Sequence, residues 1–255
     1  MGIRLAVVTG AAGDIGRAIS GRLAEDHDLV ILADLDPAAA ERAASSHPRF
    51  RAMQVDVTLP ASCAALAETI GELGQLATLV NNAGAAQGAS LQATTTDQWQ
   101  ADRSLNLDAA FLMFQALAPH LISAKGALVN VASVNGLGIF GHPAYSVAKA
   151  GMIHLTRAIA VEYGRYGVRA NSVAPGTVRT QAWEARAAQN PNVFAEAARH
   201  YALGRIVRPE DVAEAVAFLA SPKAAAITGI CLPVDCGLTA GVPALARTFS
   251  QSEDY

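Results

Sequence analysis

Thr9-Gly-Ala-Ala-Gly-Asp-Ile-Gly16 decides how this 255-residue chain folds. It ends an apolar run, Arg4–Thr9, and leads straight into a helical pattern over 15–26. Glycines let a backbone turn tightly and approach a pyrophosphate, and the helix behind them offers free N–H groups and a partial positive charge. A glycine-rich loop carries little alone. Between a strand and a helix, early in a βαβ unit, it reads as a dinucleotide loop. Its spacing, Gly10-x-x-Gly13-x-x-Gly16, differs from Gly-x-Gly-x-x-Gly and points to a different class of dinucleotide site. The next strand, Asp28–Ala33, ends at Asp34, close to the roughly twenty-residue offset at which an acidic group meets a ribose 2′-hydroxyl. A carboxylate there accepts from ribose hydroxyls and repels a 2′-phosphate, so NAD is expected over NADP. The competing reading of Asp34 is a turn residue ahead of Asp36-Pro37, a pair that can itself start the next helix.

Working outward, further strands are predicted at Arg51–Val55, Thr78–Asn81, Ala127–Val131, Val168–Val173 and Gly229–Val234. Helical patterns lie near 37–46, 60–73, 97–122, 143–166 and 209–220. This alternation predicts an α/β fold: one domain over residues 1–255, a Rossmann-like doubly wound parallel sheet of about seven strands with helices on both faces. Residues 180–203 are rich in Ala, Arg and Glu and follow Pro175-Gly176, so a small helical substrate lid is expected within 180–205.

Hydrophobic residues make up 52% of the chain and charged ones 16%, so most helices should be buried on at least one face. That leaves apolar surface for a homo-oligomer to cover. A formal net charge of −3 gives no basic footprint for nucleic acid or anionic membranes. Residues 3–8 lead into glycines without a charged leader and read as a strand, and no continuous run approaches the roughly 20 apolar residues of a membrane span. Cys63, Cys231 and Cys236 lack Cys-x-x-Cys spacing and the six histidines are scattered, so neither disulfides nor a metal site is expected. A reduced, cytoplasmic setting is the default expectation.

Pro143-Ala-Tyr-Ser-Val-Ala-Lys149 sets a phenol and an ammonium four residues apart, on one helix face. A free tyrosine, with a pKa of about 10, is a poor proton carrier at neutral pH. A neighbouring cation favours the phenolate and draws that pKa toward the working range of a general acid/base. The bland alternative is a surface helix pair worth a few tenths of a kcal/mol.

These residues resemble the short-chain dehydrogenase/reductase family over nearly the whole chain. The family's Thr-Gly-x-x-x-Gly-x-Gly loop is similar to residues 9–16, its adenine-side acid to Asp56 in Asp56-Val57, and its Asn-Asn-Ala-Gly segment to Asn81-Asn82-Ala83-Gly84. Its helical Asn falls at Asn106, its active-site Ser at Ser133, and its Asn-x-x-x-Pro-Gly-x-x-x-Thr segment at Asn171, Pro175, Gly176 and Thr180. The closing stretches Leu203–Glu210 and Ile227-Thr-Gly229 are similar too. Two positions depart. Asp14 replaces the loop's second glycine, with Gly13 one place earlier, and Asp235-Cys236-Gly237 replaces Asp-Gly-Gly. Asp tolerates a left-handed backbone, and its carboxylate is expected to face solvent or pair with Arg17.

The resemblance implies hydride transfer between NAD and a secondary alcohol or ketone. Tyr145 is the implied proton carrier, Lys149 lowers its pKa and holds the nicotinamide ribose, Ser133 donates to the substrate oxygen, and Asn106 supports a proton relay. Gly10, Gly13, Asp14, Ile15, Gly16, Asp34, Asp56, Val57, Asn82, Ala83, Gly84, Pro175, Gly176, Val178 and Thr180 are the implied remaining cofactor contacts. Ser133, Asn135, His142, Tyr145 and Trp183 are candidates for the substrate. Arg179, Arg186, Arg199 and Arg205 crowd the lid, either to meet an anionic substrate or as a solvated helix face. NAD preference favours alcohol oxidation, with a sugar or polyol as the expected substrate. The alternative is a 3-oxoacyl-thioester (acyl-carrier-protein) reductase, which usually uses NADPH. A homotetramer is expected, as is common in the family.

Overall fold

Strand β1 (Arg4–Thr9) shows why the sheet must be covered on both sides. Leu5 and Val7 enter one apolar core while Ala6 and Val8 enter another, the two-residue alternation of a strand buried on both faces. The computed structural model describes residues 2–254 except 182, 184–186, 188, 189 and 191. Its strands are β1, β2 (Leu29–Asp34), β3 (Phe50–Gln54), β4 (Gln75–Asn81), β5 (Ala127–Val131), β6 (Arg169–Pro175) and β7 (Cys231–Val234). They form one parallel sheet in the order β3-β2-β1-β4-β5-β6-β7. The order reverses between β1 and β4, the crevice in which open α/β sheets bind ligands at their carboxyl ends.

Helices α1 (Asp14–Leu23), α2 (Pro37–Ala44), α3 (Pro60–Leu73), α4 (Thr96–Arg103), α5 (Ala109–Ala124), α6 (Pro143–Tyr163) and, after the short α7 (Val193–Ala198), α8 (Pro209–Ala220) surround the sheet, while α7 and the last helix, α9 (Pro243–Ser250), bury no residue. Ile19 and Leu23 of α1 and Val212 and Val216 of α8 pack in one core, with Ile70 of α3 and Leu117 and Leu121 of α5 in the other.

Three expectations change. β4 starts three residues before the predicted Thr78, because Gln75 and Leu76 pair with Arg4 and Leu5 ahead of a register shift. The predicted helix 97–122 contains a π-helical turn, Ser104–Asp108, between α4 and α5, and apolar spacing does not reveal one extra residue in a turn. Helix α9 (Pro243–Ser250) lies beyond the predicted helical patterns, which end at 209–220, and Pro243 opens it at its first turn. The continuous helix Thr96–Ala124 is long and apolar enough to cross a membrane by length and hydropathy, although no uninterrupted apolar run was expected to be. Its buried side chains, Met113, Leu117 and Leu121 among them, pack on α3 and β4.

One buried histidine makes the fold acid-sensitive. His27 Nδ1–H donates to the Leu23 carbonyl at 2.9 Å and its Nε2 accepts from Thr78 Oγ1 at 2.9 Å, tying the end of α1 to β4. Burial holds its pKa below the usual 6.5. The unfolded chain therefore binds this proton at a higher pH than the folded one. The contribution is present above about 6.5 and is lost as pH falls through the lower folded value. Chemical unfolding at pH 7.5 and 5.5 should show a larger acid loss in the parent than in His27→Gln; equal losses would refute the assignment.

Candidate active site

The phosphate loop is built where a side chain does not fit. Gly10 has φ +60°, and a Cβ there would stand 2.8 Å from the Ala83 Cα, while one at Gly16 would collide with the Gly10 carbonyl. Gly13 is open, with only the Gly10 carbonyl near a Cβ at 3.6 Å. Asn82 fixes the loop, its side-chain amide donating to the carbonyls of Thr9 (3.0 Å) and Gly10 (3.1 Å). Asp14 needs no left-handed backbone, because it is the first residue of α1. It pairs with Arg17 as expected. Asp34 closes the far side, accepting the Ala12 N–H at 2.9 Å and the Asp36 N–H at 3.2 Å. Asp56 lies at the end of β3, holding the N–H and hydroxyl of Thr58 (2.9 and 2.6 Å), with Val57 buried beside it.

Asn106 sits in the π-helical turn and is fully buried. Its amide donates to the carbonyls of Ala85 (2.7 Å) and Asp102 (2.8 Å), while its Oδ1 is buried with no hydrogen-bond partner. A Cβ added at Gly84 would come within 2.7 Å of that Oδ1 and 3.3 Å of Lys149 Nζ. The orphaned acceptor and the lysine thus converge on the backbone of Gly84. Lys149 donates to the Val131 carbonyl at 2.8 Å, and its Nζ lies 5.6 Å from the centre of the Tyr145 ring. Ser133, at the end of β5, is hydrogen-bonded to the Tyr145 phenol. The structure therefore brings Asn106, Ser133, Tyr145 and Lys149 together.

The electrostatics differ from the sequence expectation. Burial pushes the Tyr145 phenol above its ordinary range; the Ser133 hydrogen bond opposes that rise and the charge of Asp102 adds to it. Burial also lowers Lys149 to about 7. The lysine does not draw the phenol down, because its nitrogen is held over the ring by Val131 rather than against the phenolic oxygen. The arrangement can nonetheless carry a proton: a neutral phenol, a hydroxyl bonded to it, and an amine that titrates near neutrality.

The other predicted residues divide. Pro175 ends β6, and a Cβ at Gly176 would meet Tyr201 at 2.9 Å, so the backbone passes close over the sheet edge. Val178 forms a parallel bridge with Val207, placing Thr180 beside the start of α1 in one cleft. The Asn135 amide donates to the Gly141 carbonyl (2.6 Å) and Ser146 Oγ (3.0 Å), bracing the loop before α6. His142 adopts φ 51° and bonds the Gly88 carbonyl at 2.9 Å. Trp183 is partly buried, within the segment where a lid is expected. Arg205 pairs with Asp211, and Arg179 lies over the Phe194 ring. Arg186 falls outside the described residues. Cys236, at the departed glycine of Asp235–Gly237, adopts φ 49°, a backbone that a glycine would hold without strain.

Sequence reasoning missed the supports. Thr9 Oγ1 accepts the N–H groups of Asn82 (2.9 Å) and Ala83 (3.0 Å), joining β1 to the end of β4. Asn81 donates to Asn130, and Asn130 to Thr156, beneath the site (2.9 and 2.8 Å). Asp102 accepts the Gln87 N–H at 3.2 Å. Only Thr9 and Asn81, each inside a quoted motif, carried a signal.

A tight glycine loop open above Gly13, an acid at the end of β2 and an orphaned acceptor beside a buried lysine all fit a nicotinamide dinucleotide. A family model described as enoyl-(acyl carrier protein) reductase matches residues 10–239. Meso-2,3-butanediol dehydrogenase of Serratia marcescens is 37% identical over 93% of this chain and 95% of its own. A crystal structure of a short-chain dehydrogenase/reductase family oxidoreductase from Burkholderia thailandensis superposes with a TM-score of 0.93 at 42% identity, covering 99% of each chain. The aldohexose dehydrogenase of Thermoplasma acidophilum gives 0.86 at 30%, over 94% of this chain and 96% of that one. Sheet order, loop and relatives agree, and the chain belongs to the short-chain dehydrogenase/reductase family of nicotinamide-dependent oxidoreductases.

Proposed function

We propose that this chain is an NAD-dependent dehydrogenase that oxidises a secondary alcohol, of the sugar or polyol class, to a ketone. The convergence of Tyr145, Ser133, Lys149 and Asn106 on one point beside the phosphate loop carries the reading. The relatives that act on butanediol and aldohexose support the substrate class. The bound nicotinamide supplies the hydride acceptor. Ser133 donates a hydrogen bond to the substrate oxygen, and Tyr145 takes its proton. The Tyr145 phenolate becomes a neutral phenol as it takes that proton, Lys149 would hold the nicotinamide ribose, and Asn106 Oδ1 supports the path by which the proton leaves. His142 and Trp183 flank the substrate. Screening sugars, polyols and hydroxy acids with NAD, by NADH absorbance, tests the class; no turnover on any secondary alcohol would refute it. The description of the family model favours a second reading, reduction of a 3-oxoacyl thioester, so one such thioester belongs in the panel with both reduced cofactors.

Two outcomes are expected of the active protein. Asp34 should make kcat/KM with NAD at least about tenfold higher than with NADP, or about 1.4 kcal/mol. Equal use of NADP would sink the cofactor assignment. Because oxidation needs the phenolate and burial raises the Tyr145 pKa, alcohol oxidation should accelerate from neutral into alkaline pH and ketone reduction should slow. A flat profile for both directions would refute Tyr145 as the proton carrier. We also propose a homotetramer, supported by exposed apolar side chains on α5 and α6, Phe111 at 46% and Val161 at 86%. Light scattering should give four times the chain mass, and a monomer would refute it.

A further inference from the structure

Asp14 replaces a loop glycine, and its carboxylate has a partner far away in sequence. Oδ2 accepts the backbone N–H of Gln181 at 2.7 Å, while Oδ1 pairs with Arg17 one turn along α1. The Asp14 side chain is only 19% exposed. Gln181 marks the point where the chain leaves the sheet edge for the lid. The residues before it are pinned independently. Thr177 N–H donates to the Tyr201 hydroxyl at 2.8 Å, Val207 N–H to the Thr177 carbonyl at 3.0 Å, and Arg179 N–H to the Val207 carbonyl at 2.9 Å. None of these bonds reaches the phosphate loop. The Asp14 bond does, closing one side of a cleft of about 550 Å³ lined by Asp14, Arg17, Arg179, Thr180, Gln181 and Glu210.

A carboxylate at the start of a helix that faces a pyrophosphate works against binding that anion. Arg17 offsets the charge, and the Gln181 bond gives the carboxylate a task that a glycine cannot perform. The geometry points to Asp14 as a positioning residue: held by Arg17, it fastens the start of the lid to the phosphate loop and sets how long a bound dinucleotide is retained. The retention half rests on the dinucleotide reading above. The fastening half stands on the contact alone.

Asp14→Ala removes the fastening, whereas Asp14→Asn keeps an oxygen that can accept from Gln181 and removes only the charge. Hydrogen exchange of the full chain without cofactor reads the fastening. Asp14→Ala should speed exchange in peptides spanning 180–183 by about tenfold, the worth of a hydrogen bond to a charged group. Asp14→Asn should stay within about threefold of the parent, and peptides of β1 should be unchanged in both, which controls for folding. Stopped-flow NADH fluorescence reads retention, and Asp14→Ala should release NADH at least about fivefold faster than the parent. Unchanged exchange in Asp14→Ala, or equal acceleration in both variants, would overturn the fastening. Faster exchange with unchanged or slower NADH release would show that the carboxylate merely repels the pyrophosphate, which overturns the retention. A parent that binds no NADH removes the dinucleotide reading and the retention with it, while exchange still decides the fastening.

Discussion

Replacing Tyr145 with phenylalanine is expected to cut kcat by about 10²–10⁴-fold, the range a positioned general acid/base contributes. The same change should leave NADH affinity within about threefold, because it removes a proton carrier and not the binding loop. The pair of readouts matters more than either alone. The phenol lies on α6, and the ring keeps its place beneath Lys149 Nζ when only the oxygen is lost. Ser133 Oγ loses a partner but still accepts the Asn135 N–H at 3.2 Å, so the hydroxyl proposed to face the substrate stays in place. Ser133→Ala removes a donor to the substrate oxygen instead, a change of about 10²–10³-fold for such groups. A Tyr145→Phe protein turning over within tenfold of the parent would leave the site without its acid/base, and the dehydrogenase reading would fail with it.

What could be read before folding was whatever the chemistry keeps close in sequence. Gly10, Gly13 and Gly16 announce a loop because a tight turn into a helix needs them at that spacing, and Tyr145 and Lys149 share a helix face because they are four apart. Asn106 was placed by resemblance, but the π-helical turn that buries it was not legible. One extra residue in a turn leaves apolar periodicity almost unchanged over a helix of that length. The direction of the Tyr145 shift was not legible either. It depends on how deeply tertiary packing desolvates the phenol and on the Val131 carbonyl that holds the lysine, neither of which is a property of the motif. Asp14 is the sharpest case. The sequence marks it as a departure and suggests Arg17, three residues on, while its other partner lies 167 residues away across a fold that had to be seen first.

Lys149 should make the ligand-free protein less stable than its inactive Lys149→Met variant at neutral pH, and the difference should shrink as pH rises. The amine is 2% exposed, and burial lowers its pKa from 10.5 to about 7. Between those values the unfolded chain carries a proton that the folded chain has released, so the lysine's contribution to stability rises with pH. It is fully present above 10.5 and is lost as pH falls through about 7. Methionine does not titrate. Its unfolding free energy minus that of the parent should therefore fall by about 2–3 kcal/mol between pH 7 and pH 9, from a slope of about 1.4 kcal/mol per unit. Subtracting the two proteins cancels every other titrating group, so the sign does not depend on them. The uncovered Val131 carbonyl lowers the variant by a constant amount and leaves the slope alone. Urea unfolding at fixed pH without cofactor measures the gap, and a gap that does not change with pH would mean the lysine titrates as it does in water. A shrinking gap, alongside lost turnover, would mean that the fold keeps a buried amine at a cost in stability, because a proton poised near neutrality is what the reaction requires.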